Sequence, residues 1–227
     1  ITTRLVGSEM CIRDSPWFEP FHQKGIKCIP VVPNVKLAQR VQAHGADALV
    51  VEGMEAGGHD GKLTLMALLE NVLPDIEIPV IAAGGIADGR GIAASLLMGA
   101  SGVQMGTRFL LAEECSLHPK AKDAIMAAAD TDSVVTGFTT GDSVRGLKNR
   151  FSDRYLKAEY SGASPDELSS ISAGTTKRGA LLGDTENGFI LAGMSLTHLT
   201  KIQSAKEIVE ELVSETERRL AAAPELI

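Results

Sequence analysis

Ala48-Leu-Val-Val-Glu-Gly-Met-Glu-Ala-Gly-Gly-His-Asp-Gly61 is the stretch from which the fold can be read. Its first four residues are an apolar run of the kind that fills a buried strand. From Glu52 onward the chain alternates glycines with carboxylates and then presents His59. Adjacent glycines at 57 and 58 let the backbone take a positive φ or come close to a ligand. An imidazole, whose ordinary pKa lies near neutrality, suits proton transfer there. A strand that runs into a glycine-rich loop carrying a histidine is the edge of an active site. The competing reading is a plain turn with a solvated histidine.

Upstream of this stretch, Ile26-Lys-Cys-Ile-Pro-Val-Val32 reads as a short strand. Pro33-Asn34 then opens a helix over 35–43, with Val35, Leu37, Ala38 and Val41 on its buried side. Gly45 closes that helix. Downstream, the pattern predicts a helix over 63–73, a strand over 78–83 and a glycine-rich turn from Gly84. A helix to Met98 and a strand over 103–105 follow. Strand–loop–helix units repeated at this spacing mean a parallel sheet with helical crossovers. In such folds ligands gather at the carboxyl ends of strands.

Two of those strand ends, Ala82-Ala-Gly-Gly-Ile86 and Gln104-Met-Gly-Thr107, are built to hold a phosphate on backbone N–H groups, backed by a helix N-terminus. Close helix–strand packing is the alternative use of such glycines. The segment from Gly84 does not fit a dinucleotide fingerprint, because no acidic residue ends the following strand. In a β/α barrel the phosphate loops commonly follow strands seven and eight. The four strands here would then be strands five to eight, and the chain an N-terminally truncated piece, with an inactive fragment as an alternative reading of it.

Beyond Phe109 the rhythm changes. Residues 118–129 read as a helix and 134–140 as irregular or extended. The basic run over 145–150 reads as a solvated face, with contact to an acidic partner as the alternative, and 161–172 as helical turn and loop. Ser204-Ala-Lys-Glu207 has capping-box spacing. Ile208, Val209, Leu212, Val213 and Leu220 form one packing stripe behind it. Glu55 reads as structural. His22, His44, His118 and His198 read as surface or capping histidines.

The chain has 227 residues and a formal net charge of −7 with no concentrated basic run, which argues against nucleic acid as a partner. Its three cysteines lack metal-ligand spacing, so they are expected as free thiols with no metal. No apolar run reaches the roughly 18 residues of a membrane span. A cytoplasmic protein is the expectation. Residues 1–15, which include Val6-Gly-Ser-Glu-Met-Cys-Ile-Arg-Asp-Ser15, show no helical or strand period and read as a non-native or disordered leader. Residues 16–112 then form the C-terminal half of a barrel, and 113–227 a mostly helical region that completes it.

EGMEAGGHDG, PVIAAGGIADGRG and GVQMGTRF together resemble the flavin-dependent family of enoyl-acyl carrier protein reductase II and nitronate monooxygenase (2-nitropropane dioxygenase). IPVVPNVKLAQR, VRGLKNRF and FILAGM extend the similarity, and the EGMEAGGH form is more like the reductase branch. The resemblance implies a TIM-type barrel that binds FMN at its C-terminal face and uses NADH or NADPH as co-substrate. It places the flavin phosphate on Gly84, Gly85, Gly106 and Thr107, with Gln104 and Met105 alongside. Glu52, Gly57 and Gly58 would lie beside the flavin ring or ribityl chain, and His59 would be the active-site histidine. Asp60 departs from the family pattern, and a carboxylate there would favour the imidazolium of His59. The implied substrate is an enoyl thioester on acyl carrier protein or, in the other branch, a small alkyl nitronate. A homodimer is compatible with both.

Overall fold

The computed structural model describes residues 17–226 and divides into two compact units. The proposed leader lies outside the described residues. The first unit comprises 1–55, 60–105 and 212–227. Its helices are α1 (Phe18–His22), α2 (Val35–Ala43), α3 (Leu65–Val72) and α4 (Gly89–Leu97). Its strands are β1 (Val31–Val32), β2 (Leu49–Glu52), β4 (Val80–Ala83) and β5 (Gly102–Gln104); β3 (Gly58–His59) belongs to the second unit.

The four strands form one parallel sheet in the order β1-β2-β4-β5. This is the α/β architecture expected from the repeat, with a helix carrying the chain back between successive strands. Val32, Leu49, Val51 and Ala82 from the sheet are buried with Leu37, Ala38, Val41, Leu68, Leu69 and Val72 from the helices. Full burial of each aliphatic side chain contributes about 1.5–3 kcal/mol. Local signals set the helix limits: the Asn34 side chain accepts from Leu37 N–H and caps α2. Gly45 and Gly99 end α2 and α4 at φ +90° and +109°.

The first strand is much shorter than expected. Within 26–32 only Val31–Val32 is strand, since Pro30 has no N–H to give a ladder. The carbonyls of Cys28 and Pro30 nevertheless accept from Asp47 and Val50.

The second unit comprises 56–59 and 106–211. It holds α5 (Pro119–Ala127), β6 (Ser133–Thr136), β7 (Val144–Leu147), α6 (Arg150–Tyr160), α7 (Pro165–Ser172) and α8 (Thr175–Ala180). An antiparallel sheet, β3-β7-β6, runs through it. Phe151, Tyr155, Leu168 and Phe189 form its aromatic core, with the Phe151 and Phe189 ring centroids 5.1 Å apart.

Three readings are corrected here. Arg145 does not lie on a solvated face: β7 is the central strand of this sheet, and Arg145 is 5% exposed. Helix α6 lies in a span the periodicity left unassigned, although Asn149 and Ser152 cap it reciprocally. The final helix, α9 (Ala205–Ala222), does begin at the expected Ser204–Glu207 capping box. Its stripe is narrower than expected, because Ile208, Leu212 and Thr216 are buried at four-residue spacing while Val209 and Val213 are exposed.

Candidate functional site

In the first unit the expected residues sit at the carboxyl ends of neighbouring strands. Glu52 ends β2, Gly84 and Gly85 follow β4, and Gln104 and Met105 end and follow β5. The pairing of Glu52 with Ala83 and of Ala83 with Gln104 puts these three ends in register. Gly84 and Gly85 lie consecutively in the left-handed region, at φ +100° and +69°. A side chain there would be strained, and one at Gly85 would also press on Glu55, whose Cβ is 3.1 Å from where it would sit.

The helix behind this turn is not a vacant anion site. Asp88 caps α4, accepting from the N–H groups of Arg90 and Gly91, and Glu215 accepts from Gly89 N–H. Two carboxylates therefore already satisfy its first amides, and the helix-end contribution expected from the sequence is spent within the fold.

Glu52 has an unusual environment. Burial, and then the charge of Asp60, push its carboxyl from 4.5 up to about 7. Near neutral pH it is therefore partly protonated and can donate a hydrogen bond as well as accept one. Glu55 has the structural role read for it: both carboxylate oxygens accept from Leu65 N–H, at 3.0 and 3.1 Å, and cap α3 in place of Thr64.

In the second unit His59 is not in a loop. It is a strand residue of β3, paired with Val144 of β7, while Gly58 pairs with Arg145. His59 Nε2 lies 3.1 Å from Asp142 Oδ1, both side chains facing solvent. The histidine's partner is thus a residue 83 positions later, and no sequence spacing announced it. A Cβ on Gly57 would fall 2.6 Å from the Ala192 carbonyl carbon and 2.7 Å from Gly193 N, so only glycine allows that approach. Gly58, which is buried, takes φ +93°, while Gly106 is exposed. Thr107 Oγ1 accepts from Gly193 N–H at 2.9 Å, fixing its orientation while its own hydrogen stays free to donate.

The other histidines act as expected of capping or surface groups. His118 caps α5 through Lys120 N–H, and His44 meets Arg40 O. The fold also gathers His22, Cys28 and Asp47, with ligand atoms within 4.8 Å, although their spacing suggested no metal set. Asp47 is already held by Lys27 Nζ, the Cys28 N–H and His22 Nε2, which keep its carboxyl well below the usual range. Cys28 and Cys115 are free thiols. Among the described residues no helix is long and apolar enough to cross a membrane.

Residues 16–215 match the family described as nitronate monooxygenase. The chain belongs to the nitronate monooxygenase family. A probable nitronate monooxygenase of Staphylococcus aureus (strain MSSA476) is 35% identical over 205 residues, which cover 85% of this chain and 57% of the relative. The chain thus spans a little over half the length of that family member. FabK from Thermotoga maritima superposes with a TM-score of 0.90 at 37% identity, covering 94% of this chain and 68% of FabK. Nitroalkane oxidase from Streptomyces ansochromogenes gives a TM-score of 0.80 at 29% identity, covering 92% and 63% of the two chains.

Proposed function

We propose that the protein containing this chain is an FMN-dependent oxidoreductase that reduces 2-enoyl thioesters carried on acyl carrier protein, with NADH or NADPH as reductant. The observation that carries this reading is the left-handed Gly84-Gly85 turn in register with the Glu52 and Gln104 strand ends. The residues fit a flavin. The left-handed turn at Gly84 and Gly85 would hold its phosphate on main chain. Gln104 and Met105 would flank it, and a partly protonated Glu52 would hydrogen-bond its polar edge. When bound, the flavin supplies the hydride chemistry, and the protein supplies orientation and electrostatics.

His59 is the group for proton transfer to the substrate. With Nε2 held by Asp142, Nδ1 is the ring nitrogen that makes no hydrogen bond among the described residues and remains able to exchange a proton. The four parallel strands would be strands five to eight of an eight-stranded barrel, a placement supported by phosphate-type glycines after the last two. Residues 113–227 would be the mostly helical, family-specific region.

The EGMEAGGH form and the higher similarity to FabK than to nitroalkane oxidase support the reductase branch. A second reading, oxidation of alkyl nitronates with oxygen, is supported by the family description and the Staphylococcus relative. One pair of assays separates them, both on the full-length protein. Under anaerobic conditions NADH or NADPH should bleach the flavin, and crotonyl thioester should restore its colour. Failure of both steps, with oxygen uptake on propionate-3-nitronate, would replace the first reading by the second.

A further inference from the structure

The inference concerns what holds His59, and it rests on the proposed proton-transfer role of that residue. Pairing with Val144 fixes the backbone of His59 but leaves its side-chain torsions free. The ring meets one carboxylate, Asp142, at 3.1 Å from Nε2. Asp142 lies two residues before Val144, in the connection between β6 and β7.

That connection is tightly built. Gly137 begins it at φ +79° and Gly141 sits within it at φ +76°. Asp142 N–H and Thr140 Oγ1 both donate to Gly137 O, at 3.2 and 2.9 Å, closing the turn on itself. A Cβ at Gly137 would collide with the Asp142 carbonyl oxygen, so the turn admits only glycine there.

The anchor is Glu159, a buried carboxylate on α6 that is only 4% exposed. Its Oε2 accepts from Gly137 N–H at 3.2 Å. Its Oε1 accepts from Thr139 N–H at 2.8 Å and from Thr139 Oγ1 at 2.9 Å. A carboxylate taken out of water is costly unless hydrogen-bonded, and these three bonds meet that requirement. Glu159 thereby fixes the start of the turn whose far end presents Asp142.

We propose that Asp142 is a positioning residue for His59, and that Glu159 fixes the turn carrying it. The contact orients the ring and keeps a hydrogen on Nε2 toward Asp142, so that Nδ1 is the nitrogen offered to substrate; the imidazolium gives its Nδ1 proton and is left as the neutral Nε2–H tautomer. Its contribution to stability is small, since the His59 and Asp142 side chains are 49% and 76% exposed and screened by water. Stability and catalysis therefore separate in the test.

The experiment compares wild type, His59→Gln, Asp142→Asn, Asp142→Glu and Glu159→Gln in the full-length flavin-loaded protein. Asp142→Asn should leave the melting temperature unchanged and lower kcat by about 10- to 100-fold, the scale set by misplacing a reacting group. KM should move little, and Asp142→Glu should recover part of the loss. Ring nitrogen-15 spectra of the flavin-free protein should show His59 losing its Nε2–H preference in Asp142→Asn. Amide exchange at Gly137 and Thr139 should quicken in Glu159→Gln, with a smaller fall in kcat. If Asp142→Asn turns over within twofold of wild type and keeps the wild-type ring spectrum while His59→Gln is inactive, the positioning role is wrong. If His59→Gln itself retains turnover, the proton-transfer role of His59 falls instead, and the ring spectra still decide whether Asp142 sets the tautomer.

Discussion

Replacing Glu52 with Gln tests whether the end of β2 is the desolvated, charge-averse position that its surroundings imply. Burial and the Asp60 charge move its carboxyl from 4.5 to about 7 on folding. Each tenfold change in proton affinity is worth about 1.4 kcal/mol, so the full difference corresponds to roughly 3 kcal/mol. Glu52 keeps some exposure, and solvent screening reduces the expected effect to about 1–3 kcal/mol. The folded value is the higher one, so the favourable contribution is complete below the unfolded value. It is lost as pH rises through about 7. Urea midpoints of the flavin-free protein at half-unit steps from pH 5 to 8.5 would measure it. Wild type should weaken across that range more than Glu52→Gln, and the variant should be the more stable protein at pH 8. Asp60→Asn should remove only the lesser part of the slope, since burial is the larger cause. Parallel pH curves for wild type and Glu52→Gln would refute the reasoning.

Gly57→Ala forces a methyl against the main chain at Ala192 and Gly193, which cannot rotate away. A loss of about 1–3 kcal/mol by urea titration is expected, together with weaker flavin retention on gel filtration. Glu55→Ala removes the carboxylate that caps α3 at Leu65 N–H and should cost about 1 kcal/mol by the same titration. Asn149→Ala removes the cap of α6 and two further bonds, from the side-chain amide to the carbonyls of Thr185 and Gly188. It should cost about 2 kcal/mol, at the upper end for a cap, with faster amide exchange at Ser152.

The sequence by itself determined the repeating strand–helix units, the limits of α2, the start of α9 and the glycine turns at the strand ends. These depend on interactions within one turn or one pleat: an Asn34 side chain reaching Leu37 N–H, Ser204 reaching Glu207, or a glycine free to enter positive φ. The tertiary structure decided the rest of the site. Gly58–His59 is too short to show a strand period, and it exists as β3 because Val144 and Arg145 pair with it more than eighty residues later. Likewise the amides at the start of α4 looked open to an anion until Glu215, 126 residues away, took one of them. Asp60 raises the Glu52 carboxyl from eight residues further along the chain, because side-chain charge acts through space rather than along the sequence. Periodicity records which face of an element is buried. It carries no address for the distant residue that completes a hydrogen bond, and His59 acquired Asp142 only when β7 folded beside it.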